Sequence, residues 1–190
     1  MKKFLAVVVV ILLVLVAVIS SRPATYHIER SATLSATPEA VYAHLVDFHQ
    51  WDAWSPWAKL DPQMKTTFSG AASGAGAVYD WSGNDKAGQG RMTILDAEPN
   101  SKVTIKLEFI KPFASTCTAG FALAPDGPGT HVTWSMDGNN NFVGKAFSLF
   151  MNMDKAVGSD FERGLQQLGA AAASSPAAPA ETTAKAATRS

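Results

Sequence analysis

Val103-Thr104-Ile105-Lys106-Leu107-Glu108-Phe109 alternates without a break: four apolar side chains on the odd positions, three polar ones between them. A repeat of two is the repeat of a β-strand, whose successive side chains point to opposite faces. One face of this strand is therefore buried and the other solvated, as in an antiparallel sheet covered on one side only. The flanking sequence agrees. Glu98-Pro99-Asn100-Ser101 precedes the strand, and the turn sequences Ser82-Gly83-Asn84-Asp85 and Asp126-Gly127-Pro128-Gly129 lie further out. They separate further strand-like stretches at residues 78–81, 91–95, 115–123 and 130–136. Connections this short join antiparallel neighbours, because a parallel crossover needs a dozen residues or more.

The period changes on either side of this run. Val143, Phe147, Phe150, Val157, Phe161, Leu165 and Leu168 recur at threes and fours, which predicts one long helix over residues 142–168. Asn140 or Asn141 can cap its start and Gly169 can end it. Such a helix is about 40 Å long, enough to cross the concave face of a sheet. Towards the N-terminus, residues 26–34 read as a first strand. Thr37-Pro38-Glu39 then opens a helix with a hydroxyl cap, proline in the first turn and an acid at the positive end of the dipole. Val41, Tyr42, Leu45 and Val46 give that helix its apolar stripe, and Asp47 can cap a second short turn running to Trp51. From Ala170 onward there is no Val, Ile, Leu, Met or aromatic residue. Residues 170–190 are expected to be disordered, apart from a helical extension over residues 170–173.

This order of elements, with particular residues, resembles the helix-grip superfamily of START and Bet v 1-like domains, also called SRPBCC. It is most similar to the bacterial polyketide cyclase/dehydrase-like branch. The resemblance is carried by residues 26–31 of the first strand, residues 37–42 opening the first helix, and Asp47-Phe48 to Trp51. It continues through Trp54-Ser55-Pro56-Trp57, Asp61-Pro62, residues 74–81, Gly88-Gln89-Gly90 and the terminal Asp160-Phe161-Glu162-Arg163-Gly164-Leu165. It covers residues 24–168, and the tryptophan-rich segment is its most specific part. It implies an α+β helix-grip fold: a curved antiparallel sheet wrapped around a long C-terminal helix, with a cavity between them for an apolar ligand. Members of the superfamily include carriers, receptors and cyclases, so the fold does not decide the activity.

Residues 4–19, FLAVVVVILLVLVAVI, carry no charge; Lys2 and Lys3 precede them and Ser20-Ser21-Arg22 follow. A helix here exposes apolar surface on every side, and that is favourable only in a bilayer. The expected organisation is a membrane anchor at residues 1–21, a helix-grip domain at residues 22–169 and a tail at residues 170–190. The basic flank places the domain outside the cytoplasm, periplasmic or at the cell surface. The alternative is a signal peptide, cleaved to release a secreted domain.

The whole-chain averages hide this division. Of 190 residues 47% are hydrophobic and the net charge is zero. By segment, however, the anchor contributes two positive charges, the domain three net negative ones and the tail one positive. A mildly acidic domain with no basic stripe argues against nucleic-acid binding. One cysteine, Cys117, excludes an internal disulfide and a cysteine-based zinc site. His27, His44, His49 and His131 show no metal-ligand spacing, and no metal or other cofactor is expected. His44 and His49 read as surface or capping residues, and His131 as solvent-facing. The glycines between Gly70 and Gly90 precede no helix, so they read as turns and not as a phosphate loop. Cys117, between two threonines, has no neighbouring base to make it a nucleophile. Tyr79 is the one weak catalytic candidate: paired inward with Trp81, it leaves Asp80 outside and can donate to a carbonyl. A core tyrosine satisfied by backbone is the plainer alternative.

The ligand signal is aromatic. Five tryptophans stand in the domain, three of them at Trp51, Trp54 and Trp57, and Met151 and Met153 join Phe147 and Phe150 on the terminal helix. Rigid aromatic area with adaptable methionines suits a pocket for a hydrophobic small molecule or lipid. The expected lining is Trp54, Trp57, Tyr79, Trp81, Ile105, Leu107, Phe121, Trp134, Phe147 and Met151. Two other readings stand beside it: a cyclase or dehydrase acting on a polyketide-like carbonyl compound, and an envelope module whose tryptophan segment meets a protein partner.

Overall fold

The computed structural model of the chain describes residues 1–174; the rest of the expected tail lies outside the described residues. Helix α1 (Lys2–Ser20) is followed, after four residues, by strand β1 (Thr25–Leu34). Helix α2 (Pro38–Val46) and a short 3-10 turn (Phe48–Ala53) come next. A meander of six strands follows: β2 (Lys65–Gly70), β3 (Ala77–Ser82), β4 (Gln89–Glu98), β5 (Lys102–Lys111), β6 (Ser115–Asp126) and β7 (Gly129–Asn139). Helices α3 (Phe142–Phe147) and α4 (Met153–Ser174) close the described chain.

All seven strands form one antiparallel sheet in the order β1-β7-β6-β5-β4-β3-β2. β1 returns to pair with β7, with Ile28 opposite Met136 and Arg30 opposite Trp134. Two register shifts in β4, at Gln89/Gly90 and Ile94/Asp96, bend the sheet, since an extra residue on one strand sharpens its local twist. The concave face collects the inward side chains Ile28, Ile94, Val103, Ile105, Phe121, Val132 and Trp134, all buried. α4 grips this face from β1 to the side of α2.

Local chemistry sets the boundaries. The Thr37 hydroxyl accepts from the Ala40 amide at the start of α2, and the Asp47 carboxylate accepts from the His49 amide at the start of the 3-10 turn. Asn141 caps α3 through the Gly144 amide at 2.8 Å. Two findings depart from the sequence expectations. Strand β2 has no apolar alternation because every one of its residues is exposed on the sheet edge. The single long helix is two helices. Asn152 accepts from the Lys155 amide at 2.9 Å and so starts a new helix, while the Ser148 hydroxyl turns back to the Lys145 carbonyl. α4 then runs past Gly169 to Ser174, as the expected extension over residues 170–173 has it.

α4 lies unusually close to the sheet. A Cβ at Gly158 would meet the Arg30 guanidinium, one at Gly164 the Trp134 ring at 2.6 Å, and one at Gly169 the Leu34 side chain at 3.2 Å. Arg30 fills the first of these gaps. Its Nε donates to Glu162 at 2.9 Å, and its terminal nitrogens to the Asp154 carboxylate at 3.0 and 3.1 Å. These hydrogen bonds hold the Asp154 carboxyl below its ordinary pKa. Gly164→Val should push α4 off Trp134 and lower the unfolding free energy by about 1–3 kcal/mol. An unchanged urea midpoint would show that the helix packs there without constraint.

His44 is a correction to the surface reading. It is 6% exposed, on the side of α2 that meets α4, and it engages the Ala171 backbone. Burial pushes its pKa below the ordinary histidine value. The unfolded chain therefore takes up a proton on acidification before the folded one does, so this contribution to stability is lost as pH falls through about 6.5. His27 acts on the other side of that value. Its hydrogen bond to Asp137 raises its pKa, so its contribution is full below about 6.5 and fades as pH rises through the folded pKa. His44→Gln is expected to flatten the fall in urea midpoint between about pH 6.5 and about pH 5; an identical slope in both proteins would sink the assignment.

Candidate ligand-binding site

Helix α4 touches the sheet along its middle and C-terminal half, where Phe161, Leu165 and Leu168 are buried. Phe161 lies flat on Trp134, with ring centroids 4.1 Å apart and planes 5° from parallel. Trp54, buried to 0% exposure, meets Trp134 and Phe121 edge-on at 5.7 and 6.0 Å. That end of the concave face is solid. The N-terminal turns of α4 carry no comparable side chain, and a cavity of about 270 Å³ remains between them and strands β3 to β7.

The cavity wall is mostly apolar. Tyr79, Trp81, Met92, Ile105, Leu107 and Phe109 supply β3, β4 and β5; Ala119, Trp134 and Met136 supply β6 and β7; Val157 and Phe161 supply the helix. The segment after the 3-10 turn closes one side with Trp57, Leu60 and Met64. Polar atoms reach the cavity at Asp52, Ser55 and Lys86. A second, shallow depression along residues 148–153 belongs to the helix break and is open to solvent.

Buried indole N–H groups need acceptors, and the wall residues find them elsewhere. Trp57 Nε1 donates to Asp160 at 3.1 Å and Trp81 Nε1 to the Ala87 carbonyl at 3.0 Å. Trp51, also in the wall, donates to the Leu45 carbonyl, and Trp54 behind it donates to the His44 carbonyl. The Trp134 N–H is buried without an acceptor among the described residues. Tyr79 differs from all of these. Its ring is held by Phe48, Phe68 and Trp81, yet no hydrogen bond to its hydroxyl accompanies these ring contacts among the described residues. Burial, with the Asp52 charge adding to it, pushes this hydroxyl up to about 12. At neutral pH it is a protonated donor inside an apolar wall. Asp80, one residue on, faces outward and pairs with Arg91 at 2.7 Å.

A family model described as polyketide cyclase / dehydrase and lipid transport matches residues 25–173. The chain belongs to that family. No curated protein matches it in sequence. Among solved structures, the Mll3558 protein from Rhizobium loti is 18% identical, covers 77% of this chain and 96% of its own, and superposes with a TM-score of 0.57. Ara h 8.0201 is 14% identical over 78% of this chain and 94% of its own, with a TM-score of 0.51. The di-domain ARO/CYC StfQ from the steffimycin biosynthetic pathway is 11% identical over 79% of this chain, at a TM-score of 0.57, and the match spans 52% of StfQ. At these identities the likeness is one of fold, and it is the helix-grip fold of the Bet v 1-like superfamily.

Of the residues expected to line a pocket, Trp57, Tyr79, Trp81, Ile105, Leu107 and Trp134 stand together in the cavity wall. Trp54 and Phe121 sit behind it in the solid core. Phe147 and Met151 lie outside, exposed on α3 and on the helix break, because the cap at Asn152 rotates them out of the stripe that a continuous helix would present. Phe109 and Phe161 carry sequence signals, being on the strand face and helix stripe already described. Met92, Ala119 and Met136 become wall residues only through register, and nothing local marks Asp52 or Lys86. Cys117 is a buried thiol whose pKa burial raises, which suits packing and not nucleophilic attack. Among the described residues no three His, Cys, Asp or Glu side chains converge on a metal-sized site.

Gly90 determines how Trp81 lies in the wall. A Cβ there would meet the Trp81 ring at 2.3 Å and the Glu108 carbonyl at 2.5 Å. Gly90→Ala should therefore displace the indole and break its bond to Ala87. Hydrogen exchange of the Trp81 indole N–H, followed by NMR, is expected to speed up about tenfold, the equivalent of roughly one hydrogen bond. An unchanged rate would mean that the ring is held by its neighbours alone.

Proposed function

We propose that this family member is a membrane-tethered domain that holds a hydrophobic small molecule, or one chain of a lipid, between its sheet and α4. The observation that carries this reading is the cavity itself, apolar on nearly every side, with the protonated Tyr79 hydroxyl and the acceptor-less Trp134 N–H both in its wall. Its 270 Å³ is close to the lower end of the roughly 300–1,000 Å³ of small-molecule sites. That favours a compact ligand or a single acyl chain over a whole two-chain lipid. A ligand oxygen placed at Tyr79 would fix the orientation of such a molecule.

The tether is supported by α1. An 18-residue stretch of it has a mean hydropathy of 3.1, and most of its side chains are exposed to what would be the bilayer. With Lys2 and Lys3 on the cytoplasmic side, the domain stands in the periplasm or at the cell surface. A cleaved signal sequence has the same composition, and the domain would then be secreted. Tethering raises the effective concentration of any ligand that leaves the same membrane.

The cyclase reading keeps one observation in its favour: a protonated, unpaired hydroxyl beside the Asp52 carboxylate can polarise a carbonyl. The reading of the tryptophan segment as a protein-contact surface keeps only Trp57, which is partly exposed, since Trp51 and Trp54 are buried.

A fatty acid bearing a diazirine, added to vesicles that carry the full chain, should crosslink to the β3 and β5 wall on irradiation. Leu107→Arg, which puts an unpaired charge into the cavity, is expected to cut that labelling about tenfold or more. Labelling confined to α1 in the unaltered protein would overturn the binding reading. Tyr79→Phe should weaken labelling about two- to tenfold, as for one lost hydrogen bond. Cyclisation of a linear poly-β-ketone thioester, lost in Tyr79→Phe, would favour the enzyme instead.

A further inference from the structure

Two elements that the site does not use meet at the foot of the domain. Ile19, near the end of α1, is buried. The Lys145 ammonium of α3 donates to the Ser20 carbonyl at 3.3 Å, and the Arg22 guanidinium donates to the Ser148 carbonyl at 3.3 Å. α3 is thus fastened to the last turn of the apolar helix. At ~1.5 Å per residue, α1 is ~28 Å long against a hydrocarbon core of ~30 Å. If α1 spans, its last turn lies at the boundary between acyl chains and headgroups, and α3 lies there with it.

The surface at that level has a matching character. Phe113, Phe142, Phe147, Phe150, Met151 and Met153 are all exposed, Phe150 by 89%. They form one region, since Phe113 in the β5–β6 turn meets Phe147 with ring centroids 5.6 Å apart. The sheet register brings them to the same end. Thr25 pairs with Asn139 and Phe109 with Ser115 here, whereas the β6–β7 turn lies beside Leu34 at the opposite end of β1. Residues 138–153 contain no acidic side chain, and Lys111, Lys145 and Arg22 surround them. The flanking acids are occupied, Asp137 by His27 and Asp154 by Arg30. An apolar strip with a cationic border and no acid matches an anionic lipid surface.

We propose that α3, the break at residues 148–152 and the β5–β6 turn form a second membrane contact, seated at the headgroup–acyl boundary beside α1. This rests on the reading of α1 as a retained anchor. It also gives the cavity a route: Phe109 and Val157 in its wall are each four residues from a member of the strip, Phe113 and Met153. The cavity then opens towards the bilayer and exchanges its contents with lipid, without passage through water.

The test uses the full chain with Cys117→Ser, in vesicles of phosphatidylcholine and phosphatidylglycerol. Single cysteines replace Val10, Phe150, Met151 or Pro128, each labelled with bimane. Labels at Phe150 and Met151 should be quenched by a nitroxide lipid labelled near the glycerol. Their quenching by aqueous iodide should be about fivefold or more below that at Pro128 in the distal turn. Iodide access equal to that at Pro128, with Val10 quenched by lipid, overturns the contact while leaving the anchor standing. Protection from iodide without lipid quenching overturns it in favour of a protein partner or a second copy. A Val10 label open to iodide overturns the anchor and the contact together.

Discussion

The stacking of Phe161 on Trp134 fixes everything else in this domain. Two rings in parallel contact at 4.1 Å set both the height of α4 above the sheet and its rotation about its own axis. The close approach is possible only because Gly158, Gly164 and Gly169 face the sheet, and because Arg30 occupies the space left at Gly158. Below the stack, Trp54 and Phe121 fill the concave face completely. Towards the N-terminus of the helix the cavity lies between Val157, Phe161 and strands β3 to β7, while Asp154 and Gly158 stay on Arg30 of β1. The cavity is the geometric remainder of a rigid helix seated at one end of a bent sheet.

The polar atoms follow the same division. Four of the five indoles send their N–H groups to carbonyls or to Asp160, away from the space they enclose. Their rings can then present dry surface at little desolvation cost. Trp134, whose N–H has no acceptor among the described residues, and Tyr79 are the exceptions within the wall, and burial keeps the proton on the Tyr79 oxygen. A site of this kind selects by shape and by few directional hydrogen bonds. That is the economy of a binding pocket, and a hydrolytic or metal centre would need several convergent groups.

Much of the fold was legible in the sequence because its signals are local. The alternation at residues 103–109 gives a strand with one buried face. Thr37, Asp47 and Asn141 start helical segments through their own side chains, as the structure shows. What was not legible depends on distant neighbours or on a competing local signal. β2 is an edge strand whose residues are all exposed, so no period marks it. The threes-and-fours pattern from Phe142 to Leu168 runs through Asn152, a cap that interrupts the helix while leaving its apparent period intact. Phe147, on that stripe, and Met151, an adaptable methionine beside it, lie outside the cavity because the helix is interrupted there. His44 looked like a surface residue because α2 is short, and its burial comes from α4, well over a hundred positions away. The wall residues on β5 were readable from one strand alone. Met92, Ala119 and Met136 required the register of three further pairings.

Only four residues separate α1 from β1. Fully extended they span roughly 14 Å, and the hydrogen bonds from Arg22 and Lys145 shorten that leash further. With α1 held in a bilayer, the domain is moored: it cannot swing out across an aqueous compartment or reach an opposing membrane. Under the anchored reading proposed above, a ferry between two membranes would not be a task for this chain. On the proposed anchored reading, its radius of action would be that of a dockside store, receiving from and releasing to the one membrane that holds it.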